Sequence, residues 1–506
     1  MRRIATVSLT ALTAALAVAP GAHAAARLVV KGHGFGHGIG MSQYGAMGYA
    51  QHGAGYRDIL GHYYEDTAVV KLADPPDAVR VLLQSGRSVG VTGVVAAGPK
   101  KLSARSSYSA RVSGGRVALY GATGRRIGTY ASPLRLAAPA GGAFTLKGGA
   151  ANGLANGRYR GALEVRANGS SVQAINAVGL EDYVRGVVSA ESPPSWPAEA
   201  LKAQAVAARS YAVTTDAGSA TDGFTQYADT RSQMYKGVAA ELPSTDAAVA
   251  ATDDEVVAQN GKAVTTYFFS TSGGHTENVE DSFIGALPRT WLRGVDDPYD
   301  SVSPRHDWGP FTYSQSKVQA KLKGLVRGSF RGITVLQRGA SPRIVRAEVN
   351  GTGGVTQVTG PQLRQRFGLY DTWATFTYIS SNSKVTSSDD DGSGGSGTKT
   401  KSTTTAPAST TVPASTGNGG ATAGTGIDAT GGQAAAIARV PAPRLTGTFT
   451  VERGKRLSVQ RRDGRGWRTV GHARVGRAGR YAATLPGPGT YRVTLGDLVG
   501  PSVNVR

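Results

Sequence analysis

The 506-residue sequence contains no cysteine. That absence excludes disulfides, thiolate catalysis, iron–sulfur clusters and every zinc site with a cysteine ligand. Charged residues are few, 18% of the chain, so this is not a highly charged disordered polymer. Acidic residues are the scarcer sign: 34 Asp and Glu stand against 56 Lys and Arg, a net charge of +22. Such an excess points to nucleic acid, an anionic membrane or another anionic polymer as partner. Long apolar runs are also missing, apart from one at the N-terminus. What is present is length enough for about two to four domains with a sizeable core, and 70 glycines.

The single apolar run reads as an export signal. Arg2 and Arg3 precede an uncharged, mostly apolar stretch over 4–19, and Ala22-His23-Ala24 gives the small-x-small pattern cut by signal peptidase. The run is shorter than the ~20 apolar residues a bilayer span needs. Residues 1–24 are therefore expected to be a signal peptide, and the mature protein to be secreted from about Ala25 onward. Export argues against nucleic acid as the partner.

The charge is concentrated at the other end. Residues 439–506 hold 14 Arg and Lys, among them Arg461, Arg462, Arg465 and Arg468, against Glu452, Asp463 and Asp497. The stretch 381–438 before them is Ser, Thr, Gly, Ala and Asp with almost no large apolar residue, the composition of a flexible linker. Beyond it, short alternating runs such as Arg456-Leu-Ser-Val459 and Thr490-Tyr-Arg-Val-Thr-Leu495, parted by turns such as Asp463-Gly464, predict a small β-sandwich. It resembles the immunoglobulin-like modules appended to secreted bacterial enzymes. Its basic face is either solvated strand surface or an anchor for an anionic polymer.

Residues 32–47 read Gly-His-Gly-Phe-Gly-His-Gly-Ile-Gly-Met-Ser-Gln-Tyr-Gly-Ala-Met. Glycine at every second position predicts an extended strand with His33, Phe35, His37, Ile39 and Met41 on one face. The other face would be bare backbone, open to another chain or a flat sugar. Ser42 is a candidate N-cap, and Gly53 a stop, for a helix over 43–52; a second helix from about Tyr56 would bury Ile59, Leu60, Tyr63 and Tyr64. His33 and His37 are not read as metal ligands, because a His-x-x-x-His pair meets on a helical turn and alternating glycines oppose a helix. Structural hydrogen bonding by at least one of them is the first expectation, a sugar contact the second.

In the centre, Leu180, Tyr183, Val184, Val187 and Val188 follow helical spacing and predict a helix over 180–190. Ser192-Pro193-Pro194 ends it; Ser195 would cap a second helix running to 212, with Pro197 in its first turn. Glu191 falls at the junction. The partial negative charge of a helix C-terminus, with desolvation by neighbours such as Trp196, would raise its pKa toward that of a general acid. On local sequence alone, a solvent-facing carboxylate is the simpler reading. A third cluster, Ser270-Thr-Ser-Gly-Gly-His-Thr-Glu277, is a polar loop suited to a carbohydrate. Ser270 or Ser272 with His275 lacks the Gly-x-Ser-x-Gly elbow of a hydrolase triad.

These segments together resemble the sporulation stage II protein D / LytB (amidase enhancer) family. The stretches concerned are 180–191, 196–211, Ser232-Gln-Met-Tyr-Lys-Gly237, 270–277 and the Gly-His run, covering about 30–380 of the chain. The family includes secreted peptidoglycan lytic transglycosylases, which implies cleavage between N-acetylmuramic acid and N-acetylglucosamine with a 1,6-anhydro end. Its acid/base Glu, which follows the helix and precedes the prolines, maps onto Glu191. The resemblance also implies substrate contacts at Arg209, Tyr211, Ser270, Ser272, Gly273, His275 and Glu277, and at His33, His37 and Gln43 of the Gly-His segment. In the family the Gly-His run lies toward the C-terminus of the domain, so its N-terminal position here looks like circular permutation, which needs chain ends close in space. Some members carry a metal-site cysteine where Ser232 stands; with no cysteine here, no metal or other cofactor is expected.

The expected architecture is α+β: a mixed helix/strand catalytic domain over 25–380 with a β-rich subdomain at about 78–165, a disordered linker over 381–438, and a basic, all-β module over 439–506. The expected partners are peptidoglycan glycan strands, anionic wall polymers through the basic module, and a wall amidase. A non-catalytic enhancer of that amidase is the alternative to an enzyme, and simple wall adhesion through the tail a third reading.

Overall fold

A computed structural model describes residues 25–218, 222–384, 443–451 and 453–505. The expected signal peptide and all but the first four residues of the expected linker lie outside them. The chain divides into two compact units, one formed by Arg27–Tyr378 and the other containing Ile379–Arg506. Among the described residues, no helix is long and apolar enough to cross a membrane.

The larger unit is mixed α and β. Its β-rich part contains two sheets. One runs, in order, through Gln226–Tyr227, Val79–Gly86, Ser171–Val178, Ala162–Asn168, Leu134–Ala137, Ala96–Ala97 and Lys100–Lys101. The other has Val89–Thr92 between Ser107–Ser113 and Ala143–Lys147. Alternation is visible at Val79, Val81 and Leu83, which are buried while Arg80, Leu82 and Gln84 are half-exposed. The region reaches beyond the expected end at 165. Ser171–Val178 is buried at seven consecutive positions, so it shows no polar alternation. Of its two amides, Asn176 is satisfied by the Tyr235 hydroxyl at 2.6 Å and the main-chain oxygens of Arg160 and Ala162, whereas the Gln173 side-chain oxygen is buried without a partner.

Four of the unit's helices position the site. They are α1 (Gln43–Gln51), α2 (Tyr56–Tyr63), α3 (Leu180–Glu191) and α4 (Ala198–Thr214). Ser42 caps α1 as expected, its hydroxyl accepting from the Gly45 N–H at 3.1 Å. Ser195 does not cap α4: the N-cap position is Pro197, which has no side-chain acceptor to offer, and the helix begins one residue later. The small residues of α4 let two cores meet on it. Leu201, Ala205 and Ala208 face Val184, Val187 and the sheet; Ala203, Val206 and Ala207 face Ala46, Ile59, Leu60 and Tyr63.

The Gly-His run is not an extended strand. The strand Ala25–His33 ends there, and Gly34, Gly36, Gly38 and Gly40 take positive φ of 77, 140, 88 and 70°. Each such glycine turns the chain, so the alternate side chains do not share a face: Ile39 and Met41 are fully buried while Phe35 is 39% exposed. Nor is the glycine backbone open to a sugar. The Gly34 N–H donates to His306 O at 3.0 Å, Phe35 N–H to Thr271 O at 2.8 Å and Gly36 N–H to Tyr370 O at 3.2 Å. A Cβ on Gly40 would stand 2.2 Å from Tyr267 O.

These contacts bring the start of the unit to its end. Asp307–Ser314, Ala25–His33 and Ala374–Lys384 are neighbouring strands in that order, and the His33 N–H donates to Trp373 O at 3.0 Å. The first and last strands of the unit lie side by side, the arrangement that a changed chain order requires.

In the C-terminal unit the first residues of the expected linker are strand: positions 379–384 pair antiparallel with Arg444–Phe449, which pairs with Arg480–Thr484. Ser381 is fully buried there, held by the Tyr481 hydroxyl at 2.7 Å. A second antiparallel sheet contains Gly466–Arg474, Arg456–Asp463, Gly489–Leu495 and Leu498–Val499. Arg462, Arg465 and Arg468 are exposed on it.

Candidate active site

Glu191 is the last residue of α3, and the prolines that follow hold it at the mouth of the junction with α4. The residue is half-buried. One carboxylate oxygen accepts the Met234 N–H at 2.6 Å, and the other accepts from Gln43 Nε2 at 3.4 Å. Burial raises its pKa above the usual carboxylate value; the Met234 and Gln43 hydrogen bonds, which favour the ionised form, oppose the rise without cancelling it. No second carboxylate is among the groups that perturb it.

Gln43 opens α1, directly after the Gly-His loop. Its Nε2 also lies 3.3 Å from Gln204 Oε1, which accepts from Ser192 Oγ at 3.3 Å. The next residue, Tyr44, donates its N–H to Ser270 O at 3.0 Å and packs edge-on against Trp196, with ring centroids 5.0 Å apart. Met41–Ser42 and Phe268–Phe269 form a short parallel pair. Three segments distant in sequence thus meet around one carboxyl group. Tyr211 stands within electrostatic reach of Glu191. Glu191, Gln43, Ser270 and Tyr211 are therefore brought together.

The remaining candidates are placed elsewhere. Arg209 is fully buried, its guanidinium gripping both Glu181 oxygens at 2.7 Å and Glu255 O at 2.9 Å, so it presents no surface to a sugar. Glu277 is fully buried, accepting from Ser341 Oγ at 2.6 Å and from the N–H groups of Asn278 and Ala340. Ser272 and Gly273 are buried with their N–H groups on the Asp300 carboxylate at 2.8 and 2.9 Å. His275 Nδ1 faces Thr276 O at 2.5 Å, so it pairs with no serine. His33 pairs with Asp307 at 2.7 Å against the Trp373 ring, and His37 Nδ1 accepts the Ile39 N–H at 3.1 Å. Both histidines make the structural hydrogen bonds expected of at least one. These groups hold the loops in shape because buried polar atoms must find partners.

Several residues carry the site without a local signal. Met234 acts through its main-chain N–H, which any residue supplies. Asp297 is fully buried beside α1, with both oxygens unpartnered, close to Asp300 and to the Tyr63 hydroxyl. Arg343 and Asp371 form a buried ion pair at 2.9 Å that also ties Ser272 O and His275 O. A lone Asp or Arg in a loop looks solvated until the fold encloses it.

Residues 168–258, which contain α3, Glu191 and α4, match the model of the family described as Stage II sporulation protein. Over this part the chain is similar to the stage II sporulation protein D / amidase enhancer family. It is 30% identical over 212 residues to the stage II sporulation protein D of Bacillus subtilis (strain 168), covering 39% of this chain and 60% of that protein. The protein of the same name from Bacillus amyloliquefaciens is 31% identical over 215 residues, 40% of this chain and 60% of that one. The amidase enhancer of Bacillus subtilis (strain 168) is 32% identical over 142 residues, 28% of this chain and 18% of that protein. The chain thus spans 60% or less of the length of these relatives. Gln43 and Ser270 lie outside the residues matched by the family model.

Proposed function

We propose that this is a secreted, wall-associated peptidoglycan lytic transglycosylase, with Glu191 as its single acid/base. The observation that carries the reading is the isolation of Glu191: its pKa is raised by burial, and no second carboxylate perturbs it. Ordinary glycosidases need two carboxyl groups. Here the protonated Glu191 gives its proton to the glycosidic oxygen as the bond from muramic C1 breaks. The 6-hydroxyl oxygen of the same sugar then bonds to C1, and its proton returns to Glu191. Atoms balance without water, and the acid is regenerated. The Met234 N–H and Gln43 amide stabilise the transient carboxylate. Tyr44 and Trp196 offer an aromatic wall beside it. The C-terminal unit, as an immunoglobulin-like module, would hold anionic wall polymer through its exposed arginines.

Digestion of purified sacculi, with mass spectrometry of the products, tests this. Anhydro-ended muropeptides that vanish with Glu191→Gln support it; unchanged products from that variant remove Glu191 from the role. New reducing ends mean hydrolysis instead. A second reading, a non-catalytic enhancer of a wall amidase, is favoured by the relative named amidase enhancer. It predicts release only when an amidase is added.

A further inference from the structure

A cavity of about 420 Å³ opens between the Gly-His loop and the helix Gly360–Phe367. Glu191 and Gln43 do not line it. Its walls include Phe283, Leu369, Pro361, His37 and Thr372, with Arg364 among them. Arg364 is the one lining residue with a permanent charge, and no acidic side chain lines the cavity.

The state of that arginine is unusual. It is half-buried, and burial pulls its pKa below the ordinary guanidinium value. Among the described residues its only side-chain hydrogen bond runs from Nε to Leu369 O, at 3.4 Å. The nearest attracting carboxylate, Asp371, is already committed: it accepts from Arg343 Nε at 2.9 Å, Arg343 Nη2 at 3.0 Å and the Trp373 N–H at 2.9 Å. The terminal nitrogens of Arg364 therefore keep their donors without a counter-ion, a costly state for a desolvated cation. His37 adds no second charge. Burial, with Arg364 and Arg343 nearby, pushes its pKa down to about 3, so the ring is neutral in the physiological range.

We propose that this cavity is a binding site for the C-terminal carboxylate of a short peptide whose last residues have small apolar side chains. One planar guanidinium matches one carboxylate in a two-pronged pair. A phosphate or sulfate site would ordinarily gather more than one donor group of this kind. The remaining lining is suited to an apolar body: Phe283 is 36% exposed, with Leu369 and Pro361 beside it. The volume lies within the range of small-ligand pockets and is on the order of a dipeptide. If the protein acts on peptidoglycan as proposed above, the peptide is a stem peptide of the same polymer; that identification alone rests on the earlier reading.

The test uses the full chain and saturation-transfer NMR with N-acetyl-D-alanyl-D-alanine, its C-terminal amide, and inorganic phosphate as competitor. The acid is expected to bind at least tenfold more tightly than the amide, and Arg364→Gln to abolish that preference with an unchanged unfolding midpoint. Equal binding of acid and amide to the wild-type protein overturns the proposal, and needs no variant to fold. Displacement by phosphate at concentrations equal to the peptide's overturns the peptide class in favour of a general anion site. Glu191→Gln should bind the acid as well as wild type does. A wild-type protein that yields no anhydro products yet prefers the acid to the amide would therefore count against the lytic reading and leave this site standing.

Discussion

Gln43 Nε2 reaches to 3.4 Å from a Glu191 carboxylate oxygen, joining residues 148 positions apart. The contact favours the ionised carboxylate, so it holds the Glu191 pKa lower than burial alone would set it. Removing it in Gln43→Met should raise that pKa. A general acid is active while protonated, so the alkaline limb of the pH–rate profile should move upward, by about half a unit to one unit. The rate of muropeptide release from sacculi across pH measures this. A profile that stays in place would mean that the contact does not act on the acid.

Arg209 lies inside the core of the unit, clasping Glu181 with two bonds of 2.7 Å. Arg209→Met should cost about 3–5 kcal/mol, because it leaves a carboxylate facing the interior without its partner. Urea unfolding should show a lowered midpoint, while substrate affinity of the folded fraction stays as in wild type. The opposite pattern, intact stability with weakened affinity, would restore Arg209 as a substrate contact.

How much of this was legible in the residues depends on what each position answers to. Helices α1, α2, α3 and α4 follow local rules of capping, spacing and proline, and each falls within a few residues of its expectation. The place of Glu191 at a helix end was legible as well, since Pro193 and Pro194 fix where its helix must stop; its partial burial was not, because local sequence favours a solvent-facing carboxylate there. The Gly-His run was misread because period-two glycine fits a pleated strand as well as a chain that turns at each glycine. Only the enclosing residues, such as Tyr267 and Thr271, decide between them. Likewise Arg209, Ser272 and Glu277 are typical sugar-binding residue types. Their partners Glu181, Asp300 and Ser341 stand far enough away in sequence that nothing local shows these polar groups already engaged.

Asp297 should give the unit a marked pH dependence. Burial, and then the Asp300 carboxylate, push its pKa from 3.8 to about 7. A folded-state pKa above the unfolded one means stability that is full at low pH and is lost as pH rises from about 4 to about 7. Asp297→Asn cannot ionise, so it should be more stable than wild type at pH 8, by an amount of order 4 kcal/mol, with little difference at pH 4. Unfolding midpoints at the two pH values read this directly. A variant destabilised equally at both would mean that the carboxyl is needed for packing rather than being a buried charge.

The basic unit offers a test that leaves its fold alone. Arg462, Arg465 and Arg468 are exposed, so neutral replacements there remove charge without opening the core formed by Leu457, Val459, Tyr491 and Val493. Arg461 is less suitable, since its Nη2 donates to Pro488 O at 2.8 Å and a Cβ on Gly489 would collide with its Nε. If these arginines hold an anionic polymer, the triple variant R462Q/R465Q/R468Q should sediment less with sacculi, and its binding should respond less steeply to salt. The attraction is between exposed charges and is screened over roughly 10 Å at 0.1 M salt. The Glu191 chemistry on short soluble glycans should be unaffected. Sedimentation equal to wild type at low and high salt would reduce the basic face to a solvated surface.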